Sequence, residues 1–308
     1  MRGLDEALVQ NHDCEVQTPV MTRTLTAGRK DSEGVQAIAF DRRAVFQKMC
    51  LARYFEHKVA DAFERKLIPG TIYLAIGQES TPATVSELTG GFPVFNQHRC
   101  HAIYLSHGGD PAMLRDELLG LSTGSCGGRG GCPSIYDASI PTFPYHGFIG
   151  EHIPLATGYA LATHRPTVVY FGDAGSEEDY ALTAFGFAAT HRLPLLFVCE
   201  DNDLSILTRK GVRRSWDILE VVRAMGLPGA AIQDDPEEIF ATVRHLLSKL
   251  PAFVSIKSCR HYWHAGVGTD GPPQWDRVAE MRETVADAEE IERGARDYVE
   301  RLWRSHLD

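Results

Sequence analysis

Two stretches of the chain end apolar runs in acids and amides. "VVYFGDAGSEED" (168–179) carries Asp173, and "LLFVCEDNDLSI" (195–206) carries Asp201, Asn202 and Asp203. Each reads as a buried strand running into a turn. If the two strands are neighbours, Asp173 and Asn202 share one edge of the sheet, with a crossover helix between them. Hard oxygen ligands at a strand edge suit Mg²⁺, which keeps some waters and takes further ligands from phosphate oxygens. The ion would bridge Asp173 to a diphosphate and reverse the repulsion between carboxylate and phosphate. The glycines supply neither the GxGxxG of a dinucleotide fold nor a GxxxxGK[ST] loop. Glu177, Glu178 and Asp179 fall in the first turn of the next helix, after an N-cap at Ser176, and read as capping and helix-dipole residues.

Other groups with chemistry are dispersed. "HRCH" brings His98, Arg99, Cys100 and His101 together, but an HxxH zinc pair lacks a further ligand nearby. Seven cysteines include no CxxC pair. Cys126 and Cys132 flank "GGRGG", a spacing too weak to specify a disulfide or zinc site. A dispersed, odd set points to reduced thiols and a cytoplasmic location.

The elements that must position these residues follow from periodicity. Residues 1–40 lack a sustained period and read as an extended or partly disordered arm. From Asp41, Val45, Met49, Phe55, Val59 and Phe63 recur at helical spacing until "IPG" stops the helix. Residues 120–151 are dense in glycine, a long segment of the kind that usually carries function. Helices over 152–164, 180–191, 215–226 and 235–250 then alternate with strands over 167–171, 195–200, 230–233 and 252–258. The pattern specifies an α/β fold, a mostly parallel sheet with helices on both faces. Ligands of such sheets sit beyond the carboxyl ends of the strands. Residues 41–308 read as a single domain closing in a charged helical tail after Asp276.

Composition narrows the function. The 308-residue chain has a formal net charge of −10 without a basic stripe, against a nucleic-acid surface. No apolar run approaches the ~18 residues of a membrane span, and the N-terminus lacks a secretory pattern.

"GDAGSEED" followed by "EDN" resembles the thiamine diphosphate motif, GDG followed downstream by NN. The ordered segments "GTIYLAIGQES", "HRCHAIYLSHGGDP", "ELLGLSTGSCGGRGGCPSI", "GFIGEHIPLATGYALA" and "KSCRHYWHAGVGTD" resemble, over 42–270, the alpha subunits of the decarboxylating component of 2-oxo acid dehydrogenase complexes. This resemblance implies a thiamine diphosphate-binding fold. It implies Mg²⁺ on Asp173, Asn202 and the Leu204 carbonyl. It places Arg99 on the diphosphate beside His98, and Gly172, Ala174 and Gly175 along it. Gly147 and Ile149 would hold the aminopyrimidine through main-chain groups. His101 would face the active site, and His264 would bind the cofactor and handle protons. The family also implies a beta subunit that supplies the catalytic carboxylate, in an α2β2 assembly. A 2-oxo acid would be decarboxylated and its acyl unit passed to a lipoyl-bearing acyltransferase.

The departures open other outcomes. Tyr73 and Ser134 stand where the family has histidines, "HGH" has become His101-Ala102-Ile103, and Ala174 and Asp201 replace a motif Gly and Asn. Fewer imidazoles make a carboligase or split transketolase-like enzyme, forming a carbon–carbon bond, a second reading. An inactive alpha-like scaffold is a third.

Overall fold

The computed structural model describes residues 38–145, 147–269 and 271–307; nearly all of the N-terminal arm lies outside them. Asp41 caps the first helix, α1 (Arg42–Glu64), by accepting from the Ala44 amide. Within its apolar stripe Val45, Met49, Phe55 and Val59 are fully buried, and Phe63 is half-buried.

In chain order there follow α2 (Ser80–Thr89), β1 (Val94–Phe95), α3 (His101–Ser106), α4 (Pro111–Leu118), β2 (Thr142–Phe143), α5 (His152–Thr163) and β3 (Thr167–Gly172). A 3₁₀ turn over Asp173–Glu177 leads into α6 (Asp179–His191), and β4 (Leu195–Asp201) is followed by a small hairpin, β5 (Leu204–Ser205) and β6 (Thr208–Arg209). The remainder is α7 (Lys210–Arg213), α8 (Ile218–Ala224), β7 (Gly229–Gln233), α9 (Pro236–Leu247), β8 (Ala252–Lys257), α10 (Arg277–Arg282) and α11 (Ala288–Leu307).

Six strands form one sheet in the order β2-β1-β3-β4-β8-β7, and every pairing is parallel. The strands that lead into Asp173 and Asn202 are direct neighbours, with Gly172 paired to Glu200. Side chains alternate across the sheet. Val169, Phe171, Phe197 and Phe253 pack under α5, α6 and α8, whereas Val168, Tyr170, Val198 and Val254 pack under α2 and α9. Both faces are covered, which is why these strands read as continuous apolar runs. The two-residue strands β1 and β2 were not visible in the sequence, being too short to show a period. Among the described residues no helix is long and apolar enough to cross a membrane.

Two loops are ordered by internal anions. The buried Glu117 at the end of α4 accepts four amides of the glycine-rich segment: Cys126 (2.7 Å), Gly128 (2.9 Å), Gly130 (2.6 Å) and Gly131 (3.2 Å). Wrapping a chain around one carboxylate this tightly excludes side chains; a Cβ on Gly124 would lie 2.5 Å from the Glu117 backbone. The "GQES" turn is fixed by Glu79, which accepts from the Gly77 amide at 3.0 Å and pairs with Arg53. Gly77 has φ +96°, and a Cβ there would sit 2.1 Å from the Cys259 carbonyl.

Candidate functional site

Beyond the carboxyl ends of β3 and β4 lies a cavity of about 150 Å³. Gly172, Asp173, Ala174 and Gly175 form one wall and Asn202 and Leu204 another, while His98, Arg99, Ile149 and His264 close it. Residues widely separated in sequence are thus assembled around one space by the parallel register.

Ala174 lies within the 3₁₀ turn. It is not among the residues with positive φ, so a Cβ costs the backbone nothing there. Gly175 passes close to a second backbone: a Cβ on Gly150 would lie 2.6 Å from the Gly175 carbonyl oxygen. Gly150 is therefore the residue that permits this contact. Gly147 has φ +125° and open space around its α-carbon, and it does not line the cavity.

The Asn202 amide oxygen accepts the Leu204 N–H at 3.1 Å, and its amide nitrogen donates to Gln78 at 3.2 Å. Asp173 is 1% exposed and its carboxylate is paired with the Arg213 guanidinium. Burial and the neighbouring Asp201 raise the Asp173 pKa, while Arg213 and Lys210 pull it down. Asp179 opens the first turn of α6 as expected, but the roles of Ser176 and Glu177 are corrected: the Ser176 hydroxyl donates to the Asp173 carbonyl at 2.6 Å, and Glu177 binds Arg213 at 2.9 Å. The N-cap of α6 is Glu178, without a side-chain cap bond. The intervening 3₁₀ turn shifts the helix start, so these side chains turn toward the loop after β4.

Arg99 is buried and donates to the carbonyls of Leu74 (2.8 Å) and His264 (3.0 Å). Burial and Arg260 bring its pKa down to about 10, so the cation persists at neutral pH. Beside it His98 makes an edge contact with Tyr73 (5.0 Å between centroids) and a tilted one with His264 (5.4 Å). Burial, then Arg99, holds both imidazoles neutral at pH 7: His98 falls well below its ordinary value and His264 to about 4.

His101 does not reach this cavity. It is fully buried at the start of α3, with Nδ1 3.1 Å from Glu56. Cys132 and Glu56 raise its pKa against the pull of burial. Facing the active site is therefore corrected to an internal ion pair, because the helix beginning at His101 turns the ring away from the segment that carries Arg99. The zinc readings find no support: among the described residues no three His, Cys, Asp or Glu converge as a metal set. Cys132 meets the Tyr73 amide at 3.2 Å, whereas Cys126 meets the Ser134 carbonyl at 3.2 Å.

The site also contains residues that sequence reasoning did not select: Gln78, Gln97, Tyr145, His152, Glu200 and Arg260 line the cavity. Gln97 donates to the buried Glu200, whose pKa burial raises to about 8 against the opposing effects of Gln97 and Arg99. Glu200 was legible in principle, as an acid ending an otherwise apolar strand.

A family model described as dehydrogenase E1 component matches residues 47–270. The alpha subunit of acetoin:2,6-dichlorophenolindophenol oxidoreductase from Cupriavidus necator is 29% identical over 68% of this chain and 66% of its own. The pyruvate dehydrogenase E1 component alpha subunit of Rickettsia prowazekii is 27% identical over 71% of this chain and 72% of its own. Among solved structures, transketolase from Leishmania mexicana superposes with a TM-score of 0.56 at 15% identity, over 87% of this chain and 48% of the transketolase. That level of identity speaks for the fold alone. The chain thus spans about half the transketolase and about two thirds of the Cupriavidus subunit. With most of its length matched by one family model, the chain belongs to the dehydrogenase E1 component family.

Proposed function

We propose that this chain is the alpha subunit of a thiamine diphosphate- and Mg²⁺-dependent enzyme that decarboxylates a 2-oxo acid with a beta subunit. The observation that carries this reading is Asp173 and Asn202 on neighbouring strand ends, facing one cavity with the Arg99 guanidinium. A carboxylate, an amide oxygen and the Leu204 carbonyl are hard donors suited to Mg²⁺. The close approach of Gly150 to Gly175 leaves backbone rather than side chains along that wall, as a diphosphate requires. The cavity of about 150 Å³ is well below the ~300–1,000 Å³ of a complete small-molecule pocket. It suits the diphosphate, with the rest of the cofactor enclosed by a second chain.

When bound, thiamine diphosphate supplies the electron sink for decarboxylation. In the metal site, Asp173, Asn202 and the Leu204 carbonyl would hold the ion. Arg99, fixed by two carbonyls, presents positive charge to the diphosphate without having to reorganise. His264, neutral at pH 7, is the proton-handling group of this reading, with the neutral His98 ring beside it. An anion that offsets Arg99 and Arg260 raises the His264 pKa from about 4, bringing it nearer the range useful for proton transfer. No carboxylate for activating the cofactor is assigned to this chain, and the beta subunit is the proposed source. The unit spanning residues 41–308, with its cytoplasmic location, belongs to the same reading.

Passage of the acyl group to a lipoyl-bearing acyltransferase is the proposed outcome. Tyr73 supports the carboligase alternative: its ring packs against His98 and His264, 5.0 and 5.2 Å away, placing an aromatic wall beside both imidazoles. Acyloin formation without lipoamide or dye reduction would select that alternative. The chain co-expressed with a beta-like subunit is expected to bind thiamine diphosphate in calorimetry with Mg²⁺, and Asp173→Ala to bind at least tenfold more weakly. Unchanged affinity in the variant would remove Asp173 from the metal site.

A further inference from the structure

The segment after β4 is held by charge rather than by a core. None of residues 202–217 is buried, and Ile206, Leu207 and Val212 are 58%, 64% and 79% exposed. Three basic residues nevertheless anchor the segment to the ends of β3 and β4 and the turn after β3, and a fourth pairs within it. Lys210 pairs with Asp201, and Arg209 with Asp203 at 2.9 Å. Arg214 lies 3.5 Å from Glu177 and donates to the Ser176 hydroxyl at 3.2 Å. Arg213 reaches furthest, pairing with the Asp173 carboxylate and with Glu177 at 2.9 Å while donating to the Thr208 carbonyl at 2.6 Å.

We infer that Arg213 is a resident counter-cation of the metal seat, occupying the Asp173 carboxylate until a divalent ion displaces it. This rests on the proposal that Asp173 and Asn202 take the metal. The physical need is plain. Asp173 follows the end of β3 and Asp201 ends the adjacent β4, and both carboxylates are buried close to one another. A buried carboxylate left without a cation is costly, so the chain needs an internal one before metal arrives. Arg213 holds one oxygen of the Asp173 carboxylate, so a divalent ion drawn to that carboxylate would compete with the guanidinium for its charge. Glu177 lies beside that oxygen and already accepts from Arg213 Nε at 3.2 and 3.3 Å, so the displaced guanidinium has a partner waiting. Metal loading thereby cuts one anchor of an otherwise exposed segment and couples occupancy of the seat to the position of residues 206–214.

Arg213→Gln in the full chain separates this role from a merely structural one. Melting temperatures are measured without metal and with Mg²⁺ plus thiamine diphosphate, and Mg²⁺ affinity is measured by calorimetry. The metal-free variant is expected to melt below wild type, the deficit to shrink by at least half with the ligands present, and Mg²⁺ to bind at least fivefold more tightly. A deficit that persists undiminished, or an unchanged affinity, overturns the inference. Asp173→Asn tests the underlying reading separately. If it binds Mg²⁺ as well as wild type, the metal seat lies elsewhere and the inference falls with it. If it loses Mg²⁺ while Arg213→Gln is indistinguishable from wild type, the seat stands and only the role of Arg213 is refuted.

Discussion

Glu200 shows how a single buried group conditions this cavity. It is buried in the lining of the cavity, and burial raises its pKa to about 8. The folded chain therefore holds a proton that the unfolded chain releases at the ordinary carboxylate value. That contribution to stability is complete below pH ~4.5 and is lost as pH rises toward 8. Two histidines act in the opposite sense. His98 and His264 are depressed, so their contribution is present above pH ~6.5 and is lost as pH falls. The difference between wild type and Glu200→Gln isolates the carboxyl, because the amide preserves an acceptor for Gln97 and cannot ionise. Urea unfolding from pH 5 to 8 should show the variant gaining on wild type by at least about 1 kcal/mol. A constant difference across that range would mean that Glu200 is ionised in the folded chain.

At the scale of elements, the alternation of apolar strands and periodic helices was legible because the central strands β3, β4 and β8 are buried on both faces and the longer helices packed on them on one. The parallel sheet follows from that pattern, whereas the adjacency of the strands leading to Asp173 and Asn202 was a condition that the strand order supplies. Less legible were contacts that depend on where loops return. His101 sits two residues from Arg99, yet helix geometry sends the two side chains to different environments. Likewise the pairing of Arg213 with Asp173 spans 40 residues and has no periodic signature. The glycine-rich segment looked like a functional loop, while its visible organiser is Glu117, whose carboxylate replaces the hydrogen bonds that a helix or strand would give. Hydrogen bonds to a charged acceptor contribute about 1.5–3 kcal/mol each, though four on one carboxylate are not additive. Glu117→Ala should therefore destabilise the chain by roughly 3 kcal/mol or more in urea unfolding. It should also open residues 120–131 to proteolysis before the sheet unfolds; cleavage only with global unfolding would show that other contacts hold the segment.

On the scale of the whole molecule, α5 is too apolar for the surface it leaves uncovered. Its sequence "HIPLATGYALAT" carries no acidic or basic group beyond His152, yet Leu155 and Leu161 are 50% and 40% exposed, beside Phe187 of α6 at 40%. A helix apolar all round is ordinarily buried all round. Tyr180, which lines the groove between α5 and α6, donates its hydroxyl to the carbonyl of Ile149, which lines the cavity beyond β3 and β4. A chain seated there would lie where the proposed beta subunit must deliver its carboxylate. Leu161→Arg places a charge in that groove without removing a buried side chain, so the chain alone should lose no more than about 0.5 kcal/mol. Co-expressed with a beta-like subunit, the variant should elute apart from it in size-exclusion chromatography, while wild type elutes as a joint complex. A variant that still assembles would assign the exposed groove elsewhere; one that loses only self-association of the alpha chains would make the groove a contact between its own copies.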